Sequence, residues 1–226
     1  FGFGFVATFP LTRTFMAWLI EPQGLPRDVE IIVITPVEFI LLQVRLAAHV
    51  GLMCMVVVFL SEGSWKASKH FAVRQRLAEL DFKTPRPNMT MLMTFVSALT
   101  LMVAGIYYSW NWLTPMLLEY LTTDAQSAGL STEWRLTSYI GFIANLALAS
   151  AAGFQAPLVT LAVLRLGLVR RATVRSYRRH IWFSAFILGA FLSPPDPLSL
   201  FLVAMPVVIL FEIAIVIDAI TRKEVF

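Results

Sequence analysis

Cysteine occurs once in the 226 residues, as Cys54 inside an apolar run, which excludes a disulfide framework and a cysteine-ligated metal centre. Charge is also scarce: 14% of residues are charged against 58% hydrophobic, a balance that a soluble domain of this length does not carry. H-E-x-x-H, G-x-S-x-G and a Gly-rich phosphate loop are absent, so hydrolytic and nucleotide chemistry have no foothold. The histidines, His49, His70 and His180, are scattered over a span, a loop and a span entrance, which does not make a metal site. The chain reads as a non-enzyme without cofactor. No polar stretch is long enough for a separate soluble domain, so residues 1–226 read as a single transmembrane domain. The opening FGFGFVATFPL lacks Met and is too short to cross a bilayer, which predicts residues upstream of Phe1 and a truncated first helix.

What is present is a series of apolar runs of about 20 residues, the length of a bilayer-spanning helix. Residues 1–12 read as the end of a first span. Residues 13–36, with Pro22, Gly24 and Pro26, form a polar connection holding a short amphipathic piece at 15–20. Further spans are predicted at 37–60, 89–118, 136–164, 181–192 and 198–219, giving an all-α integral membrane protein with six transmembrane helices. The fifth span is short: its dozen residues cover about 18 Å against a hydrocarbon core of about 30 Å. It ends at Ser193-Pro194-Pro195-Asp196-Pro197, where a thinned bilayer or entering water is expected.

The basic residues fall on alternate loops. Six lie in 61–88, six in 165–180 and two in the tail, fourteen of the eighteen, which marks these segments and both termini as cytoplasmic. The net charge of +4 is thus a topology signal that also attracts anionic membrane lipid; it gives no reason to invoke nucleic acid.

Ionisable groups inside spans are costly, so each is expected to be paired, cavity-facing or functional. Glu38, Arg45 and His49 recur at seven and eleven residues, one stripe that has to face the bundle. Asn111, between Trp110 and Trp112, suits interfacial anchoring. Pro157 bends the fourth span, and Gln155 beside it can satisfy the freed backbone or bond across helices. Asp196 lies in the turn and Glu212 in the middle of the sixth span, the polar group hardest to explain by topology. Gln155 and Glu212 are expected to face one cavity that docks a polar residue of a partner helix.

The segment from Ser138 onward carries a family resemblance. It contains S-Y-I-G-F, then G-F-Q-A-P at 153–157, a basic loop ending V-R-S-Y-R-R-H, F-L-S-P-P-D-P-L-S at 191–199 and A-M-P-V-V-I-L-F-E-I at 204–213. This resembles the second half of TatC, with its F-E-x-P, [TS]-P-P-D and P-x-x-x-x-[FY]-E patterns in the same order and at the same separations. Gly105 and Pro115 match a Gly and a Pro of the family's third span, and residues 25–45 are similar to its outer cap leading into span two. The resemblance implies a six-span concave bundle with short fifth and sixth helices in the cytoplasmic membrane. It implies a receptor for twin-arginine signal peptides of folded proteins, working with TatA- and TatB-type single-span partners and further TatC copies.

The resemblance has departures. Gln155 replaces the glutamate of F-E-x-P, and Leu200 stands where Gln is common. The first cytoplasmic loop lacks the H-E-R-R-like stretch and puts Pro87 at its glutamate position, so Glu79 and Asp81, then Glu62, are the candidates for signal-peptide binding. Arg45, Gln155, Asp196 and Glu212 are the candidates for intramembrane partner docking, with Pro157, Pro194, Pro195 and Pro206 as structural motif positions. Two alternatives stay open: a partner-dependent TatC paralogue or half of a fused TatC, and a small-solute or proton-coupled transporter using the Glu38, Arg45, His49 stripe and Glu212.

Overall fold

The computed structural model describes residues 2–19, 30–32, 37–69, 87–129, 133–165, 168–193 and 196–221. Helix α1 (Gly2–Leu19) continues through Pro10. The polar connection expected from residue 13, with its separate piece at 15–20, is therefore corrected to one helix reaching Leu19. Thr12 and Met16 turn inward and are buried while Arg13 is exposed, so the polar sequence remains compatible with helix packing. The hydroxyls of Thr8 and Thr12 donate to the Gly4 and Phe9 carbonyls, at 2.7 and 2.6 Å.

Strand β1 (Glu30–Ile32) pairs in parallel with β2 (Glu133–Arg135), Glu30 opposite Glu133 and Ile32 opposite Arg135. Among the described residues, two three-residue strands thus supplement the helices. The sequence places both connecting segments on one side, and the pairing holds them together there. Helix α2 (Val37–Lys69) extends nine residues beyond the predicted end of its span, so the start of the 61–88 loop is helical. Glu62 and Lys66, 3.3 Å apart one turn from each other, support that extension.

Helix α3 (Pro87–Tyr108), a π-helical turn (Ser109–Leu113) and helix α4 (Thr114–Ser127) form one rod that runs nine residues past the predicted end. Proline at 115 has no N–H, and in a regular helix its ring clashes with the carbonyl of Asn111. The wider turn absorbs this, the Thr114 N–H bonding the Ser109 carbonyl. Helix α5 (Leu136–Gly153) breaks at Phe154 and Gln155 before α6 (Ala156–Arg165), as Pro157 predicts. Short α7 (Arg171–Ser176), then α8 (Arg178–Leu192) and α9 (Pro197–Thr221) complete the bundle.

Among the described residues, four stretches are long and apolar enough to cross a membrane: Val37–Gly63, Leu92–Ser127, Leu136–Arg165 and Pro197–Thr221. Helix α8, with 15 residues, spans about 22 Å and falls short of the core thickness. The shortness expected at this end therefore lies in α8, since α9 has 25 residues.

One apolar cluster joins α1, α2, α4 and α5 through Met16, Leu42, Leu46, Leu118, Tyr139 and Ile143. A second joins the π turn, α4, α5 and α9 through Leu113, Leu117, Leu146 and Val203. Gly105 lets α3 touch α5 backbone to backbone: a Cβ there would lie 2.6 Å from the Ser150 carbonyl oxygen. Pro206 lies inside α9 and leaves the Leu202 carbonyl without its helical donor. The Tyr108 hydroxyl of α3 supplies one, at 3.0 Å. Tyr108→Phe is expected to destabilise the protein in detergent by about 1–3 kcal/mol, the penalty of an orphaned polar group. Unfolding curves should show a smaller loss when Pro206→Ala has restored the backbone donor; equal losses in both backgrounds would sever the two residues.

Candidate functional site: polar groups at membrane depth

Gln155 sits in the break between α5 and α6, only 4% exposed. The Phe154 N–H bonds the Ser150 carbonyl and the Gln155 N–H the Ala152 carbonyl, so the chain tightens and turns the side chain inward. Its Nε2 donates to the Ala98 carbonyl of α3 at 3.1 Å. Its Oε1 is buried and unpartnered among the described residues. The same residue lines an almost wholly apolar cavity of about 550 Å³ between α5–α6 and α8–α9, walled by Ala152, Val163, Trp182, Val207 and Phe211.

Glu212 is not in that cavity. It lines a neighbouring groove with Phe186, Met205 and Ile209, Trp182 and Val208 being common to both, which corrects the expectation of a single shared cavity. Its carboxylate is held by the α8 N-terminus. Arg178 Nε donates to Oε1 at 2.8 Å and Nη2 to Oε2, and Trp182 Nε1 donates to Oε1 at 2.9 Å. The guanidinium also lies 5.9 Å from the Trp182 ring centre. Glu212 is therefore a fully used acceptor tying α9 to α8.

A second, deeper pair is absent from the sequence expectations. Asp218, 1% exposed, accepts from Arg171 Nε and Nη2 at 3.0 and 2.9 Å, while Nη2 also donates to the Asp218 carbonyl at 2.8 Å. A signal existed: Asp218 is a carboxylate in an apolar run six residues after Glu212, and the cost rule applied to one applies to the other.

In the Glu38, Arg45, His49 stripe His49 is half-buried against α5 but Arg45 is exposed, which corrects the expectation that all three face the bundle. Glu38 is buried, with Oε2 unpartnered among the described residues. The Arg45 guanidinium packs over Gly141 of α5, where a Cβ would lie 3.0 Å from Nη1. His49 Nε2 lies 3.0 Å from Asn145 Oδ1, and Nδ1 lies 2.6 Å from the Arg45 carbonyl. Nδ1 is the donor in the second bond, since a carbonyl only accepts.

Asp196 acts as a helix cap: its Oδ2 accepts the Ser199 N–H at 2.7 Å, with Pro197 as the first residue of α9. Glu62 is exposed on α2 and paired with Lys66. Asn111 donates to the Tyr107 carbonyl at 3.0 Å. Glu79, Asp81, Pro194 and Pro195 lie outside the described residues.

Long apolar helices, charges neutralised in pairs between them and an orphaned amide at an apolar cavity define a multi-pass α-helical membrane protein whose polar interior serves binding between helices. Residues 1–206 match the family model of the Sec-independent protein translocase protein (TatC). The chain belongs to the TatC family. It is 30% identical to the Sec-independent protein translocase protein TatCd of Bacillus subtilis over 133 residues, 59% of this chain and 54% of that one. It is 28% identical to the TatC of Listeria innocua over 124 residues, 55% and 50% of the two chains. The TatCt protein of Haloferax volcanii aligns over 83% of this chain but 25% of its own length, at 26% identity. The chain spans about half the length of the first two. A crystal structure of the twin arginine translocase receptor TatC superposes with a TM-score of 0.74 at 21% identity, covering 97% of this chain and 92% of the other, so the fold is shared.

Burial grades the two ion pairs: the side chains are 15% and 1% exposed in Arg171–Asp218 but 42% and 23% in Arg178–Glu212. Arg171→Ala, which strands a buried carboxylate, is expected to cost about 3–5 kcal/mol in urea unfolding, with Asp218→Asn recovering much of it. Arg178→Ala should cost clearly less; equal costs would mean that burial does not grade these pairs.

Proposed function

We propose that this chain is the receptor subunit of a twin-arginine translocation system, binding the signal peptides of folded proteins and recruiting single-span TatA- and TatB-type partners. The observation that carries this reading is the family match across residues 1–206. Two adjacent arginines in a signal peptide call for carboxylates able to take guanidinium groups in bidentate geometry. Glu79, Asp81 and Glu62 supply these on the basic-flanked segment after the first complete span, and apolar helix faces receive the signal's hydrophobic stretch. The distribution of Lys and Arg supports placing that segment and both termini on the cytoplasmic side of the cytoplasmic membrane. Gln155 lines the cavity with an Oε1 that lacks a donor among the described residues, and the cavity's apolar walls suit a partner's membrane-spanning helix.

A second reading, a partner-dependent copy that works beside another TatC, is favoured by Gln155 itself. A neutral amide at the position of the family pattern's glutamate hydrogen-bonds but carries no charge. Photocrosslinking in membranes separates the two. Probes at 70–86 should label a peptide bearing Arg-Arg and lose that label with Lys-Lys, and Glu79→Ala with Asp81→Ala should weaken it several-fold. Labelling that ignores the Arg-Arg to Lys-Lys change would move the receptor role to a partner copy.

A further inference from the structure

At the end of the bundle where β1 and β2 pair, α2 and α5 begin and α8 stops. Because α8 has only 15 residues, Phe191 and Ser193 end beside the third turn of α2 and the first turns of α5. They leave a recess of about 270 Å³ lined by Arg45, Ser138, Gly141, Phe142, Asn145 and these two residues. Its lining is half polar and half apolar, unlike the Gln155 cavity. The Arg45 guanidinium lies against the Gly141 face of this recess. Among the described residues no carboxylate pairs with it, whereas Arg171 and Arg178 each hold one. A guanidinium within a membrane span has to meet water, a counter-anion or both.

We propose that this recess binds the phosphate of a phospholipid headgroup from the leaflet on the β1–β2 side. A guanidinium presents two parallel N–H groups to phosphate oxygens. The Ser138 hydroxyl can donate to a third oxygen. Asn145 lines the recess beside them, its amide already engaged with His49 Nε2. Phe142 and Phe191 give the glycerol and first acyl carbons an apolar wall. Depth agrees: a helix shorter than the core draws the headgroup layer inward, and an arginine side chain extends outward to meet it. Phospholipid is chosen over a partner carboxylate because the recess combines polar and apolar walls where headgroup meets acyl chain.

The test is native mass spectrometry of the full-length, delipidated protein in detergent, titrated with phosphatidylglycerol, with a diacylglycerol of the same chains and with inorganic phosphate. Arg45→Gln should weaken phosphatidylglycerol binding by about tenfold, the loss of a charge-assisted contact pair. Arg45→Lys should fall between. Gly141→Ala, which sets a methyl 3.0 Å from Nη1, should weaken it as well. Diacylglycerol should bind all variants alike, and millimolar phosphate should not displace the lipid. Should Arg45→Gln lower the melting temperature, Arg45→Lys and Gly141→Ala at unchanged melting temperature decide the matter. Equal phosphatidylglycerol affinity across the variants overturns the proposal. So does an Arg45-dependent diacylglycerol signal, or displacement by free phosphate.

Discussion

Water is missing at membrane depth, so a carbonyl deprived of its helical donor has to find another inside the protein. This chain sets that problem repeatedly, with prolines at 10, 115, 157 and 206 in its helical stretches. The answers differ, and much of the architecture follows from them. At Pro206 the freed carbonyl recruits Tyr108 from α3 and so ties α9 to a helix ninety-four residues away in sequence. At Pro115 the helix widens by a π turn and the rod continues. At Pro157 it breaks, and Gln155 is buried beside a cavity, one end of its amide bonded to α3 and the other without a partner among the described residues. The cavity is thus a by-product of a backbone hydrogen-bonding problem.

Charges obey the same constraint. The arginines of 165–180 read in the sequence as an orientation signal, yet two of them are also the counter-ions of α9. Arg171 and Arg178 thus fix the end of the last helix against α7 and α8, a task that a count of loop charges does not reveal. The Arg178–Glu212 pair is bidentate, the geometry that holds orientation as well as charge, whereas Arg171 grips one carboxylate oxygen and the backbone carbonyl of Asp218.

Helix number, helix type and the break at Pro157 were legible because apolar runs of bilayer length and a proline inside one leave few alternatives. Spacing put Glu38, Arg45 and His49 on one stripe, but not that Arg45 stays exposed while Glu38 is buried. Helix ends were not. Residues 13–19, 61–69 and 119–127 are polar enough to read as loops, yet they continue helices because Met16, Glu62 paired with Lys66, and buried Thr122 stabilise them locally. The strand pair escaped notice since three residues carry no periodicity. Partners were less legible than residues: Glu212 was singled out, but that Arg178 and Trp182 would claim it, and that it would sit apart from Gln155, depends on how α8 lies against α9. Asp196 carried a capping signature in Asp-Pro, a local pattern that its place in a conspicuous turn obscured.

The β1–β2 pair has a mechanical meaning. It closes a ring of about a hundred residues at one end of the bundle, fastening the approach to α2 beside the approach to α5. Such a fastening behaves like the joint of a pair of tongs: separation is smallest at the joint and grows along the arms. Displacement between α2 and α5 is thus costly beside the strands and cheaper at the far end, where Glu62 and Lys66 lie on α2 and Arg165 ends α6.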